Sequence, residues 1–173
     1  RRLWRVETPR PIVACPVTDK GVVFIGSSDG KFRAIKLRNG KPLWTFDGLK
    51  GFVETRPLIH GDKVIFGAWD GHLYALDAKT GKPVWKWAAP TPAKLLSPAA
   101  CWPVAAHGKV FVAAPDRMLT AVDDATGQTV WRTGEWQVRE SLGLSADQSR
   151  FYARTMRNWI LAFSTQADRK SVV

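Results

Sequence analysis

One pattern, Asp-Gly-(x)3-Ala-(x)5-Gly-(x)3-Trp, recurs along the chain at a nearly constant interval. It begins at Asp29 and returns intact at Asp70, 41 positions later. A third copy begins at Asp116 with arginine in place of the first glycine, and a fourth begins at Arg157 and fades before its tryptophan. Self-similarity with a period of about 40 residues is typical of repeat architectures, and strand-rich units of that length are propeller blades. The repeat therefore predicts an all-β propeller.

Each repeat contains the signals of four antiparallel strands joined by tight turns. A β-rich run such as residues 64–67 ends near an Asp-Gly pair, which indicates a hairpin because glycine accepts a positive φ. An alternating strand at residues 72–76 follows, and the next strand, residues 83–87, opens with proline. One more strand precedes each unit, and we expect these inner strands around residues 12–17, 53–59 and 102–106. Four such strands make one blade.

A second and more specific signature, Ala-x-Asp-x-x-Thr-Gly-x-x-x-Trp, occupies residues 75–85 and 121–131. Residues 34–44 depart from it at Lys36 and Asn39 but keep the alanine, glycine and tryptophan. The signature closely resembles the tryptophan-docking motif of the pyrroloquinoline-quinone-like (PQQ-like) propeller superfamily, and the resemblance covers nearly the whole chain. It implies that outer-strand tryptophans lodge against small residues of a neighbouring blade, where a large ring buries much apolar area. The implied docking residues are Trp4, Trp44, Trp85 and Trp131.

The repeat boundaries divide the chain into one β-propeller domain, or a fragment of one. We expect an outer strand in residues 1–9, blades in residues 10–48, 49–90 and 91–136, and a partial blade in residues 137–173. Trp4 and Val172 belong to similar outer strands, so both ends resemble interrupted repeats. Because the superfamily commonly uses about seven or eight blades, within the usual range of propellers, we favour part of a larger ring over a closed ring of four.

The inner strands of a propeller line its central channel, which makes their polar residues candidates for a site. Aligning residues 53–57 with residues 139–143 places Glu54 and Glu140 at equivalent positions. Two carboxylates near one axis could bind a polar ligand or do acid/base chemistry, whereas the alternative is a charge network that lines a wet channel. The candidate channel residues are Glu54, Arg56, Trp102, Arg139 and Glu140.

Five tryptophans lie outside the docking positions and are better ligand candidates than the docking residues. Trp69 and Trp159 lie by hairpins, Trp87 follows a docking residue, Trp102 belongs to an inner strand, and Trp136 follows the third blade.

Catalytic signatures are scarce. Quinone-dependent dehydrogenases of the superfamily combine a calcium site and a catalytic aspartate with adjacent cysteines over the cofactor, whereas Cys15 and Cys101 are isolated in this sequence. His60 and His107 precede glycines in equivalent turns and His72 follows a hairpin, so the histidines do not form a ligand set. We identify no catalytic constellation, no metal site and no phosphate-cradling loop. We therefore expect no cofactor; PQQ enters only as a possibility that the family resemblance implies.

The formal net charge of +11 permits binding to nucleic acids or anionic surfaces. Lysines such as Lys31, Lys41, Lys82 and Lys109 nevertheless lie in the repeat turns, which disperses them around the ring and argues against a nucleic-acid site. No apolar run approaches the roughly 18 residues of a membrane helix. We therefore expect a protein partner or self-association.

Two classes of function remain open. The first is a non-catalytic scaffold for protein–protein interaction in the periplasm or outside the cell, which the resemblance to propellers of outer-membrane assembly implies. The alternatives are a fragment of a PQQ-dependent dehydrogenase and the propeller module of a calcineurin-like phosphoesterase, whose last blades residues 139–145 resemble.

Overall fold

The protein is an all-β structure. The computed structural model describes residues 1–90, 100–113 and 116–166, with the side chain of Glu140 outside this set. These residues form 15 strands and no α-helix. Four antiparallel sheets result, three with four strands and the last with three, and within each sheet the strands pair in chain order. The prediction of consecutive four-stranded units is confirmed for the first three sheets.

We number the sheets as blades 1 to 4 in chain order. Blade 1 contains β1 (Val17–Asp19), β2 (Val22–Gly26), β3 (Phe32–Lys36) and β4 (Pro42–Phe46). Blade 2 contains β5 (Leu58–His60), β6 (Lys63–Ala68), β7 (His72–Asp77) and β8 (Pro83–Ala88). Blade 3 contains β9 (Val104–Ala106), β10 (Lys109–Ala113), β11 (Leu119–Asp123) and β12 (Thr129–Thr133). Blade 4 contains β13 (Val138–Leu144), β14 (Arg150–Thr155) and β15 (Ile160–Ser164).

The inner strands of blades 1 to 3 begin later than the sequence predicted. Pro16, Pro57 and Pro103 directly precede β1, β5 and β9. Proline has no backbone N–H to donate to the ladder, so regular pairing starts only after it. The register of blade 4 places Leu142 at the position of these prolines, and β13 is correspondingly longer.

The loops of the four blades form two faces. Because successive strands alternate in direction, the first and third turns of a blade lie at one end, which we call the turn face. The second turn and the connection to the next blade lie at the other end, which we call the loop face. At the turn face an N–H of the third turn, or its equivalent in blade 4, donates to a carbonyl of the first turn in every blade: Leu37 to Gly21, Ala78 to Asp62, Asp124 to Gly108, and Thr165 to Ser149.

Apolar side chains fill the spaces between neighbouring blades. Residues of β6 alternate between two clusters, because Ile65 packs toward blade 3 and Phe66 packs toward blade 1. The Phe66 ring stacks on Phe32, with ring centroids 3.9 Å apart. Between blades 3 and 4 the rings of Phe111 and Phe151 stack in the same manner at 4.2 Å.

Outer-strand tryptophans contact the following blade. The ring of Trp44 lies so close to Gly81 that an added Cβ would approach it to 2.6 Å, and Trp85 has the same relation to Gly127 at 2.8 Å. The indole N–H groups donate to backbone carbonyls beside these glycines: Trp44 to Ala78 at 3.1 Å and Trp85 to Asp124 at 2.8 Å.

The two remaining predicted docking residues differ from this pair. Trp4 lies on Gly40 and donates to the Leu37 carbonyl at 2.8 Å, although residues 1–9 form no strand. The expected outer strand at residues 1–9 is thus wrong, because no described strand lies beside it to pair with. The ring of Trp131 lies beside that of Phe111 in its own blade, with ring centroids 6.0 Å apart. Residues 167–173, where Val172 was expected to begin another outer strand, lie outside the described residues.

Candidate binding face and central cavity

An aspartate fixes the second turn of each of the first three blades at the loop face. Asp70 accepts the N–H groups of Lys50 at 3.1 Å and His72 at 3.2 Å and the hydroxyl of Tyr74 at 2.6 Å. Burial raises the pKa of Asp70, but the hydrogen bonds from Tyr74, Lys50 and His72 outweigh it and hold that pKa below its usual value. The equivalent aspartates pair with arginines, Asp29 with Arg33 and Asp116 with Arg132.

A stacked aromatic pair lies on the loop face at blade 2. The rings of Phe52 and Trp69 are 5.4 Å apart, and both side chains are exposed. The indole N–H of Trp69 donates to Glu54 Oε2 at 2.8 Å. Gly51 permits the close approach of the two segments, since an added Cβ would lie 2.4 Å from the backbone nitrogen of Asp70. Glu54 therefore bonds to an exposed tryptophan of the loop face.

The largest group of exposed large apolar side chains lies on the loop face. Its described members are Ile12, Val13, Phe52, Trp69, Met156, Trp159 and Ile160, whereas Trp102 lines a central cavity and Leu3, Val6 and Tyr152 are exposed elsewhere. On the opposite face, Leu37 is exposed in the third turn of blade 1, and Leu43, Val84 and Val130 are exposed at the starts of the outer strands beside the third turns. Sequence reasoning singled out the tryptophans but missed Phe52, Met156 and Ile160. Met156 and Ile160 flank the second turn of blade 4 and Phe52 lies in the connection before blade 2, and these positions would have indicated them.

A cavity of about 480 Å³ opens where the inner strands meet. The inner strands of all four blades contribute to its lining: Val17, Leu58, Val104 and Leu142. Arg56 and Trp102, two of the predicted channel residues, lie in this cavity. Thr55 donates to the Cys101 carbonyl at 3.1 Å, which ties the inner segments of blades 2 and 3 together.

The alignment of Glu54 with Glu140 is wrong by one residue. In blade 2 the second turn donates to the Phe52 carbonyl, and in blade 4 it donates to the Gln137 carbonyl. Counting from these equivalent carbonyls, Glu54 corresponds to Arg139. The inner segments share few residue types, so their letters alone could not fix the register. Arg139 lines a separate pocket on blade 4 rather than the central cavity.

Metal-ligating side chains are dispersed in the described part of the chain. No group of three or more His, Cys, Asp and Glu residues there could hold a metal ion. Cys15 is exposed and Cys101 is buried, and the two form no disulfide bond. In the same residues no helix is long and apolar enough to cross a membrane.

Consecutive antiparallel blades around one cavity, with tryptophan contacts between them, define the protein class: a β-propeller of the PQQ-like repeat superfamily. The family model described as outer membrane protein assembly factor BamB matches residues 1–100 and 70–168. The chain belongs to this family. No curated protein matches the chain by sequence.

Solved structures agree on the fold. BamB from Moraxella catarrhalis superposes with a TM-score of 0.75 and 23% identity, covering 98% of this chain and 52% of that chain. Quinohemoprotein alcohol dehydrogenase from Comamonas testosteroni superposes with a TM-score of 0.75 and 22% identity, covering 97% of this chain and 35% of that chain. The computationally designed Ika4 protein superposes with a TM-score of 0.76 and 19% identity, covering 95% of this chain and 98% of that chain. The chain thus spans about half the length of the BamB structure.

Proposed function

We propose that the protein is a non-catalytic, protein-binding propeller that works in the periplasm or outside the cell. The observation that carries the proposal is the group of exposed large apolar side chains on the loop face, which includes the stacked rings of Phe52 and Trp69. Apolar patches that remain in contact with water are typical of interaction sites, and aromatic residues are enriched in them. Membership in the BamB family supports the same role, because its name describes a protein that assists the assembly of others.

The hydrogen bonds under the loop face favour binding without rearrangement. Asp70 ties the hairpin that carries Trp69 to the segment that carries Phe52, through its bond to the N–H of Lys50. A pre-organised surface loses less conformational entropy when it binds than a mobile one does. The stacked rings of Phe52 and Trp69 can therefore contact a partner without changing their own geometry.

A quinone-dependent activity has less support from the residues present. The superfamily resemblance implies adjacent cysteines and a calcium site around the quinone. Cys15 is exposed and Cys101 is 1% exposed, and they are far apart in sequence. The described acidic side chains do not form a ligand cluster. The described residues therefore do not fit the donor set of that cofactor.

Site-specific photo-crosslinking tests the proposed function. Trp69→p-benzoylphenylalanine places a reactive group on the loop face, and Leu37→p-benzoylphenylalanine is the matched control on the turn face. In extracts of the producing cells we expect discrete protein adducts at position 69 and none at position 37. Absence of adducts at position 69, or an absorbance change on adding PQQ and calcium, would contradict a non-catalytic binding role.

A further inference from the structure

A pocket of about 320 Å³ lies on the loop face of blade 4, apart from the central cavity. The second turn of the blade and the start of β13 form its walls. The lining includes two arginines and three large apolar side chains: Arg139, Arg154, Met156, Trp159 and Ile160. Polar and apolar groups therefore meet in one concave site.

The hairpin that builds the pocket is held by its own hydrogen bonds. The Thr155 hydroxyl accepts the N–H groups of Arg157 at 3.1 Å and Trp159 at 3.2 Å. The N–H of Met156 donates to the Gln137 carbonyl at 3.1 Å, which attaches the hairpin to the segment entering the blade. The Trp159 side chain is nevertheless 52% exposed. A large ring is thus held in water by an ordered backbone.

The charged side chains among the described lining of the pocket are both arginines. Arg139 and Arg154 line the pocket, and Arg157 is exposed in the same hairpin. Guanidinium groups pair with carboxylates in a two-pronged geometry and also stack on aromatic faces. Tryptophan and arginine are the residues that most often dominate binding energy at protein interfaces.

We propose that the blade 4 pocket binds an acidic polypeptide segment that carries an aromatic side chain. The aromatic ring lies against Trp159 and Ile160, and a carboxylate of the segment pairs with the exposed guanidinium of Arg157. This proposal rests on the protein-binding function and specifies the chemistry of its partner.

A peptide fits the loop face better than a single-stranded nucleic acid does. Glu54 and Glu135 are exposed at the same face, and Glu54 bonds to the edge of Trp69. Carboxylates at these places repel a phosphate backbone that follows the face from blade to blade. A peptide segment places its charge only where its acidic residues lie.

Binding of a synthetic copolymer of glutamate and tyrosine tests the proposal. Polyglutamate and polythymidine serve as the comparison ligands, at equal charge concentration and ionic strength. We expect the copolymer to bind more tightly than either. Trp159→Ala and Arg157→Glu should each weaken copolymer binding about tenfold, the scale of an interface hot spot. Leu37→Ala and Arg38→Glu on the turn face are the matched controls and should leave the affinity unchanged.

Four results would overturn the proposal. Equal affinities for all variants would exclude the blade 4 pocket as the site. Polyglutamate binding as tightly as the copolymer would remove the role of the aromatic ring, and tighter binding of polythymidine would indicate a nucleic-acid surface. If the copolymer fails to bind while photo-crosslinking at position 69 still yields protein adducts, the partner chemistry is wrong and the proposed function stands.

Discussion

At the scale of single residues, the tryptophan contacts depend on glycines for two separable reasons. Gly81 has a φ of +73°, and an added Cβ would lie 2.6 Å from the Trp44 ring. Gly71 has a φ of +83°, but an added Cβ would meet nothing within 4 Å. The first glycine is therefore needed for both conformation and space, and the second for conformation alone.

The two glycines form a matched pair for measuring the packing cost. Gly71→Ala should lower the free energy of unfolding by about 1 kcal/mol, the cost of a left-handed conformation for a residue with a Cβ. Gly81→Ala should lower it by about 3 kcal/mol, because the Trp44 ring must also move away. Urea denaturation of both variants checks this. Equal losses would show that Trp44 is not held tightly by the next blade.

At the scale of strands and turns, the sequence predicted the second, third and fourth strands of blades 1 and 2 well. Their hydrophobic alternation and Asp-Gly turns are local signals. The inner strands were predicted too long, although Pro57 and its equivalents carried the information on where pairing starts. The register of the inner segments depends on hydrogen bonds such as the one that the backbone N–H of Trp69 donates to the Phe52 carbonyl. Such a bond joins residues with no shared pattern, so Glu54 was matched to Glu140 instead of Arg139.

The second turn of blade 2 should make stability depend on pH in the acid range. The pKa of Asp70 is lowered in the folded protein, so its contribution is complete above the unfolded-state value of about 3.9 and is lost as the pH falls through the folded-state value. Asp70→Asn should therefore flatten the fall in the urea midpoint between pH 5 and pH 2, relative to the parent protein. Asp47→Asn, an exposed carboxylate on the same face, is the control and should keep the parent slope. An unchanged slope in Asp70→Asn would contradict the assignment.

At the scale of the whole molecule, the candidate site was only partly predictable. Arg56 and Trp102 both line the central cavity, as their places on neighbouring inner segments predicted. The loop face, by contrast, is formed by residues that are far apart in the sequence, such as Phe52 and Trp159. Which side chains remain exposed there depends on how the connections cross the blade ends, and no periodic pattern encodes that.

The division of the apolar core predicts that blades respond locally to mutation. Phe32→Leu removes the ring that stacks on Phe66 between blades 1 and 2. It should lower the free energy of opening, as measured for backbone amides in those two blades, by about 1–2 kcal/mol. Phe151→Leu should do the same for blades 3 and 4. In repeat architectures each unit contacts mainly its neighbours, so the distant blades should keep their protection. Native-state hydrogen exchange measures both variants. A uniform loss across all four blades would show instead that the protein opens as one cooperative unit.

The contacts between blades also have a direction. Trp44 of blade 1 reaches forward onto Gly81 of blade 2, and Trp85 of blade 2 reaches forward onto Gly127 of blade 3. Blade 2 thus carries both halves of such a contact, the glycine that receives one tryptophan and, four residues later, the tryptophan that reaches the next blade. A cassette such as residues 48–88, one period of 41 residues, contains both half-joints. Duplicating that cassette would lengthen the array without requiring any new interface, which gives gene duplication and protein engineering the same simple unit of growth.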